Sequence, residues 1–92
     1  MRKYEMMAIY DTDEKPLEET KNFIKDTFSA NNISIIDEKD IGNRELAYFI
    51  NKKKRGFYCL YHLEADETKL TEVAKAFKLY KGIMRYLTLL RK

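Results

Sequence analysis

The hydrophobic pattern of this chain switches back and forth between a period of two and a period of about 3.6. In residues 2–10, RKYEMMAIY, Tyr4, Met6, Ala8 and Tyr10 alternate with Lys3, Glu5, Met7 and Ile9, as a strand with one apolar face requires. The polar break DTDEKP follows, with Pro16 suited to the first turn of a helix. Residues 17–31 set Leu17, Thr20, Ile24, Thr27 and Phe28 on one stripe with Phe23 beside it, which predicts an amphipathic helix ending near Asn31 and Asn32. Residues 33–50 form a long extended segment, in which Gly42 marks a bulge or sharp twist. A short basic connection, 51–55, leads to the strand 56–65, GFYCLYHLEA. There Phe57, Cys59, Tyr61 and Leu63 make the more continuously apolar row, assigned to the core, and Tyr58, Leu60, His62 and Glu64 face the other way. Asp66 is a good N-cap for a second helix carrying Leu70, Val73, Ala74, Phe77 and Tyr80 at helical spacing. Gly82 suits the left-handed position after that helix, and residues 83–91, IMRYLTLLR, are a final strand.

The order is therefore β-α-β-β-α-β. Two right-handed βαβ crossovers, interleaved, give a four-stranded antiparallel sheet in spatial order 4-1-3-2, with both helices on one face and the other face open. This is an α+β fold, the ferredoxin-like plait. A length of 92 residues makes residues 1–92 a single domain with a compact core and no room for a deep cleft. Nothing approaches the roughly 20 consecutive apolar residues of a membrane span. The opening MRKYEMMAIYDTDE has no small-residue cleavage site, so no signal peptide is expected. The single cysteine, Cys59, excludes an internal disulfide and fits a reducing cytoplasm.

A net charge of +3 says little by itself; the distribution of the 18 basic residues matters more. The predicted topology brings Lys52, Lys53, Lys54 and Arg55 to the sheet end where the second helix finishes, with Lys78, Lys81 and Arg85. Arg2 and Lys3 meet Arg91 and Lys92 at the opposite end. Asp11, Asp13 and Glu14 offset part of the first field. A lysine-rich turn ordinarily just faces water. Two clusters a strand's length apart, bordering Tyr58 and Leu60, point instead to an RNA backbone, where cations gain from phosphate contact and counterion release.

Catalysis is poorly served. His62 and Cys59 lie three apart on a strand, point to opposite faces, and are too few for a four-ligand metal site. Asp11 and Asp13 sit in a polar loop with no apolar pocket to tune a carboxyl group. The chain is expected to be no enzyme, with no cofactor, metal or small-molecule substrate. An RNA-recognition motif shares this topology, and RGFYCLYHL opens like its third strand. Its second stacking aromatic would fall at Cys59, so that alternative, a free single-stranded RNA binder, rests on Tyr58 alone.

The stretch GNRELAYFIN, residues 42–51, resembles the signature of the bacterial small-subunit ribosomal protein S6 family. MRKYE, GFYCLYHLEA and MRYLTLLRK extend the likeness in order over nearly the whole chain. The resemblance implies a structural protein of the cytoplasmic ribosome. It would bind the central domain of small-subunit ribosomal RNA, on the platform, as a heterodimer with ribosomal protein S18. Candidate RNA-binding residues are then Arg2, Lys3, Lys52, Lys53, Lys54, Arg55, Lys81, Arg85, Arg91 and Lys92; candidate partner-binding residues are Arg44, Phe49, Tyr58 and Leu60. Family members usually carry proline where this chain has Phe49, which keeps its N–H and adds apolar surface. Leu46, Tyr48 and Ile50 are expected to seat the edge strand on the core, with Lys52 to Arg55 projecting beyond it.

Overall fold

A computed structural model describes residues 2–50 and 52–91, and for residues 47–50 the backbone alone. The elements are β1 (Arg2–Tyr10), α1 (Leu17–Ala30), β2 (Ser34–Ile50), β3 (Lys53–Ala65), α2 (Glu67–Lys78) and β4 (Ile83–Leu90). They form one sheet in the order β2-β3-β1-β4, every neighbouring pair antiparallel. This is the expected plait, read from the opposite edge.

The alternation in β1 and β3 sets the core. Tyr4, Met6, Ala8 and Tyr10 are buried with Cys59, Tyr61, Leu63 and Ala65, beneath Ile24 and Phe28 of α1 and Val73 and Phe77 of α2. Aromatic edges lock the layers: Phe28 meets Tyr61 edge-on at 5.8 Å, and Phe77 meets Tyr86 at 5.3 Å. The Tyr10 and Tyr61 hydroxyls are fully inside and hydrogen-bond each other, so neither polar group is orphaned. Asp66 caps α2 as expected, its carboxylate accepting the Thr68 N–H at 3.1 Å. Asn32, at φ 58°, turns the chain out of α1.

Gly82 behaves differently from the expectation. Among the described glycines only Gly42 has positive φ, so Gly82 does not hold a left-handed cap. Its lack of a side chain matters for packing instead. A Cβ there would lie 2.5 Å from both Thr20 Oγ1 and the Tyr80 ring. Tyr80, beyond the end of α2, stacks on Phe23 at 4.0 Å and closes the helix layer over this corner.

In β2 the register shifts at Asp40/Gly42, where Gly42 at φ 103° supplies the predicted bulge, and also at Ile35/Asp37, which the sequence did not reveal. The extra residue at that second shift, Ile36, is thrown outward. The last β1–β3 pair is Tyr10↔Phe57, whereas β2 and β3 continue through Glu45↔Arg55 to Ile50↔Lys53. Residues 44–50 and 53–55 thus form a two-stranded ribbon beyond the body of the sheet, its register shifting again between Glu45 and Ile50. Lys53, Lys54 and Arg55 belong to β3 and not to the connection, because the ribbon's pairing carries the strand past Gly56. Leu46 is half-buried there; the side chains of Tyr48 and Ile50 lie outside the described residues.

Candidate functional site

The ribbon end carries the first group of cations. Asp11, itself buried, accepts the N–H of Asp13 at 3.0 Å and of Glu14 at 3.3 Å, so its carboxylate is fixed by its own loop. Lys53 reaches back from β3 to this loop, 3.2 Å from Asp13 Oδ2 and 3.9 Å from Asp11 Oδ2. The hydrogen bond to Asp13 holds its ammonium above the ordinary lysine range. Lys52, Lys54 and Arg55 stand exposed along the ribbon. Lys53, Lys78 and Lys81 line one depression with Asp11 and Glu14, as the topology requires. Arg85, opposite Ile9 of β1, belongs to the open face near this end.

At the other end Arg2, Lys3 and Arg91 line a second depression. The Arg91 N–H donates to the Lys3 carbonyl at 2.8 Å, which joins the two ends of the chain as predicted. Alternation divides the group, however. Lys3 and Arg91 share the open face, where Arg91 Nε lies 4.0 Å from Glu5, while Arg2 turns to the helix side, 3.7 Å from Glu67. Lys92 lies outside the described residues.

Between these ends the open sheet face is apolar. The register sets Met7 between Leu60 and Leu87, Ile9 beside Tyr58, and Leu89 beside Glu5. Leu87 and Leu89 are 60% and 55% exposed, so nothing described covers the strip. Tyr58 and Leu60 were legible in the sequence; Leu87 and Leu89 were not, because IMRYLTLL is apolar on both faces and its alternation is nearly silent. Arg44, opposite Gly56, borders the strip, and the Phe49 side chain lies outside the described residues. One end of the strip is polar: His62 lies 3.5 Å from Glu5 and 3.8 Å from Asp37. Among the described residues Tyr58 is the aromatic this face offers, and the row of Phe57 and Cys59 is turned inward. Among the described residues no base-stacking platform of the RNA-recognition type forms.

Cys59 and His62 do point to opposite faces. Cys59 instead meets two carboxylates: its donor atom and those of Glu38 and Asp40 lie within 4.8 Å of one another. That set resembles a cation site, and Lys21 supplies the cation, hydrogen-bonded to Asp40 and 3.9 Å from Glu38. The Asp40 bond raises the Lys21 ammonium, and the same bond lowers the Asp40 carboxyl. Burial pushes the Cys59 thiol up to about 11, leaving it protonated and unreactive at neutral pH.

A plait with its helices on one face, an apolar strip uncovered by the described residues on the other and cations at both ends has the surfaces of a structural domain. Comparison with known proteins gives the particular kind. The sequence model of ribosomal protein S6 matches residues 3–89. Small ribosomal subunit protein bS6 of Fusobacterium nucleatum is 40% identical over 89 residues, covering 95% of each chain. Its counterpart in Thermoanaerobacter pseudethanolicus is 36% identical over 90 residues, covering 95% of this chain and 94% of that one. The crystal structure of 30S ribosomal protein S6 from Thermotoga maritima superposes with a TM-score of 0.86 at 28% identity, over 98% of this chain and 87% of that one. This chain belongs to the ribosomal protein S6 family. It is accordingly a structural protein of the small ribosomal subunit, in the cytoplasm, and not an enzyme.

Proposed function

We propose that this chain binds small-subunit ribosomal RNA through the two basic ends of its sheet, in the central domain on the platform, as a heterodimer with ribosomal protein S18. The observation that carries the reading is the uncovered strip Met7, Ile9, Tyr58, Leu60, Leu87 and Leu89, set between the two cationic ends. A contiguous apolar face on a chain of this size favours a protein partner. Arg44 borders the same strip, and Phe49 joins it as a candidate partner contact from the sequence alone. The cations Lys52, Lys54, Arg55, Lys81 and Arg85 at one end, and Arg2, Lys3 and Arg91 at the other, with Lys92 added from the sequence alone, suit a polyanion running past both ends. Lys53 contributes indirectly, by holding the ribbon to the loop at Asp11 and Asp13.

The test is reconstitution with purified S18 and a central-domain RNA fragment, read by native gel and filter binding. Tight RNA binding should need both proteins. Replacing Leu60 and Leu87 with lysine should abolish the heterodimer while the thermal melt of the isolated chain moves little, since both face away from the core. Equal binding of unstructured RNA by the chain alone would overturn the reading in favour of a free single-strand binder. A collapsed melt would mean that the strip is core.

A further inference from the structure

The tip of the ribbon runs against the usual preference of its turn. Ile50 pairs with Lys53, leaving only residues 51 and 52 between the two strands. Two-residue loops favour turns that match the twist of the strands, for which Asn-Gly is the ordinary pair. Here the pair is Asn-Lys, and Lys52 stands in the glycine's place at φ 64°. A side chain in that left-handed region crowds its own backbone; glycine escapes this, and asparagine tolerates it better than most. The chain uses the ordinary solution elsewhere. Its other non-glycine residue at positive φ, among the described residues, is Asn32 at 58°. Exchanging residues 51 and 52 would put asparagine at the left-handed position with composition and charge unchanged.

The described residues offer Lys52 no compensation. It is exposed, and no ion pair or hydrogen bond among them engages its side chain. Lys53 is different, clamped to Asp13 and Asp11 at 3.2 and 3.9 Å. That clamp and the strand pairing fasten the base of the ribbon to the body, so Lys52 is carried on a directed support. A diffuse attraction for a polyanion would be served as well by lysine at 51. A contact that depends on position gives the costlier order its reason.

We propose that Lys52 makes a position-dependent contact to a single RNA phosphate, and that the turn holds a strained residue for that contact. The inference rests on the RNA reading above and deepens it. A phosphate suits the tip better than a protein carboxylate because Arg55 stands exposed on the same ribbon, and spaced cations match the successive phosphates of a strand.

The experiment uses the full chain with S18 and the central-domain RNA fragment. Three variants are compared: the exchange Asn51→Lys with Lys52→Asn, the conservative Lys52→Arg, and Lys52→Gln. The exchange should slow hydrogen exchange of the ribbon amides by about threefold, because the turn is relieved. It should nevertheless weaken RNA binding by about tenfold, the worth of one charge-assisted hydrogen bond. Lys52→Arg should match the unaltered chain in both readouts. Lys52→Gln should weaken RNA binding as the exchange does and leave ribbon protection unchanged. Unaltered β1 and β3 spectra verify the fold of each variant. If the exchanged chain binds RNA as tightly as the unaltered one, the inference is overturned and the RNA reading stands, with the tip a diffuse charge. Ribbon amides that exchange no more slowly overturn it too, since the turn is then unstrained. A heterodimer weakened by the exchange without RNA would assign the tip to the partner protein, against the inference. Failure of the unaltered chain and S18 to bind the fragment overturns both readings.

Discussion

Lys53 should contribute less to the salt dependence of RNA binding than Lys52 or Arg55. Each phosphate contact adds about 0.7–0.9 to the log–log slope of affinity against salt, so from about 50 to about 200 mM one contact is worth roughly threefold. Changing Lys52 and Arg55 together to glutamine should remove two such contacts, a loss of roughly seven- to twelvefold in salt sensitivity over that range. Lys53 is already engaged, 3.2 Å from Asp13 and 3.9 Å from Asp11, so it releases few counterions when RNA arrives. Lys53→Gln should therefore lower affinity, because the exposed Asp13 carboxylate is left facing the RNA, while the slope moves by less than about half a unit. Asp13→Asn should do the reverse: with Lys53 partly released and one negative charge gone, binding tightens and the slope steepens. Filter binding to the central-domain fragment with S18 present, at five or more salt concentrations, measures both quantities. Equal slope losses for Lys53→Gln and Lys52→Gln, with Asp13→Asn silent, would refute the capture of Lys53 by the loop.

At the other end of the sheet, charge reversals at Lys3 and Arg91 should be non-additive in RNA-dependent assembly, since the two share one face and one backbone hydrogen bond. Reversals at Arg2 and Arg91 should add, because Arg2 is turned to the helix side beside Glu67; a double-mutant cycle with the opposite pattern refutes this division. Gly82→Ala should destabilise the chain by about 1–3 kcal/mol in a urea melt, because the new methyl overlaps Thr20 and the Tyr80 ring. A neutral result would mean that Tyr80 yields without cost. For Cys59 the folded thiol, at about 11, holds its proton more tightly than an unfolded thiol at 9.0. Stability should thus fall as pH rises from about 9 toward 11, and the Cys59→Ala variant should lose that component of the decline in a pH series of melts.

The element order and the buried rows of β1 and β3 could be read from the sequence because hydrophobic period is local. Tyr4, Met6, Ala8 and Tyr10 repeat every second residue, and no distant contact is needed to see which way they face. The bulge at Gly42 was legible for a similar reason, since glycine in a strand pattern is a local signal. The bulge at Ile36 was not, because ISIID is apolar and strand-like whichever residue is left unpaired. Only the register decided that the basic run lies within a ribbon and that Leu87 and Leu89 complete the strip begun by Met7 and Leu60. Only the folded chain brought Lys53 to Asp13, a contact spanning 40 residues, and set Gly82 against Thr20 and Tyr80. A strand's period tells which face a side chain takes. What stands beside it on that face depends on neighbouring strands and their slips, which exist only once the sheet has closed.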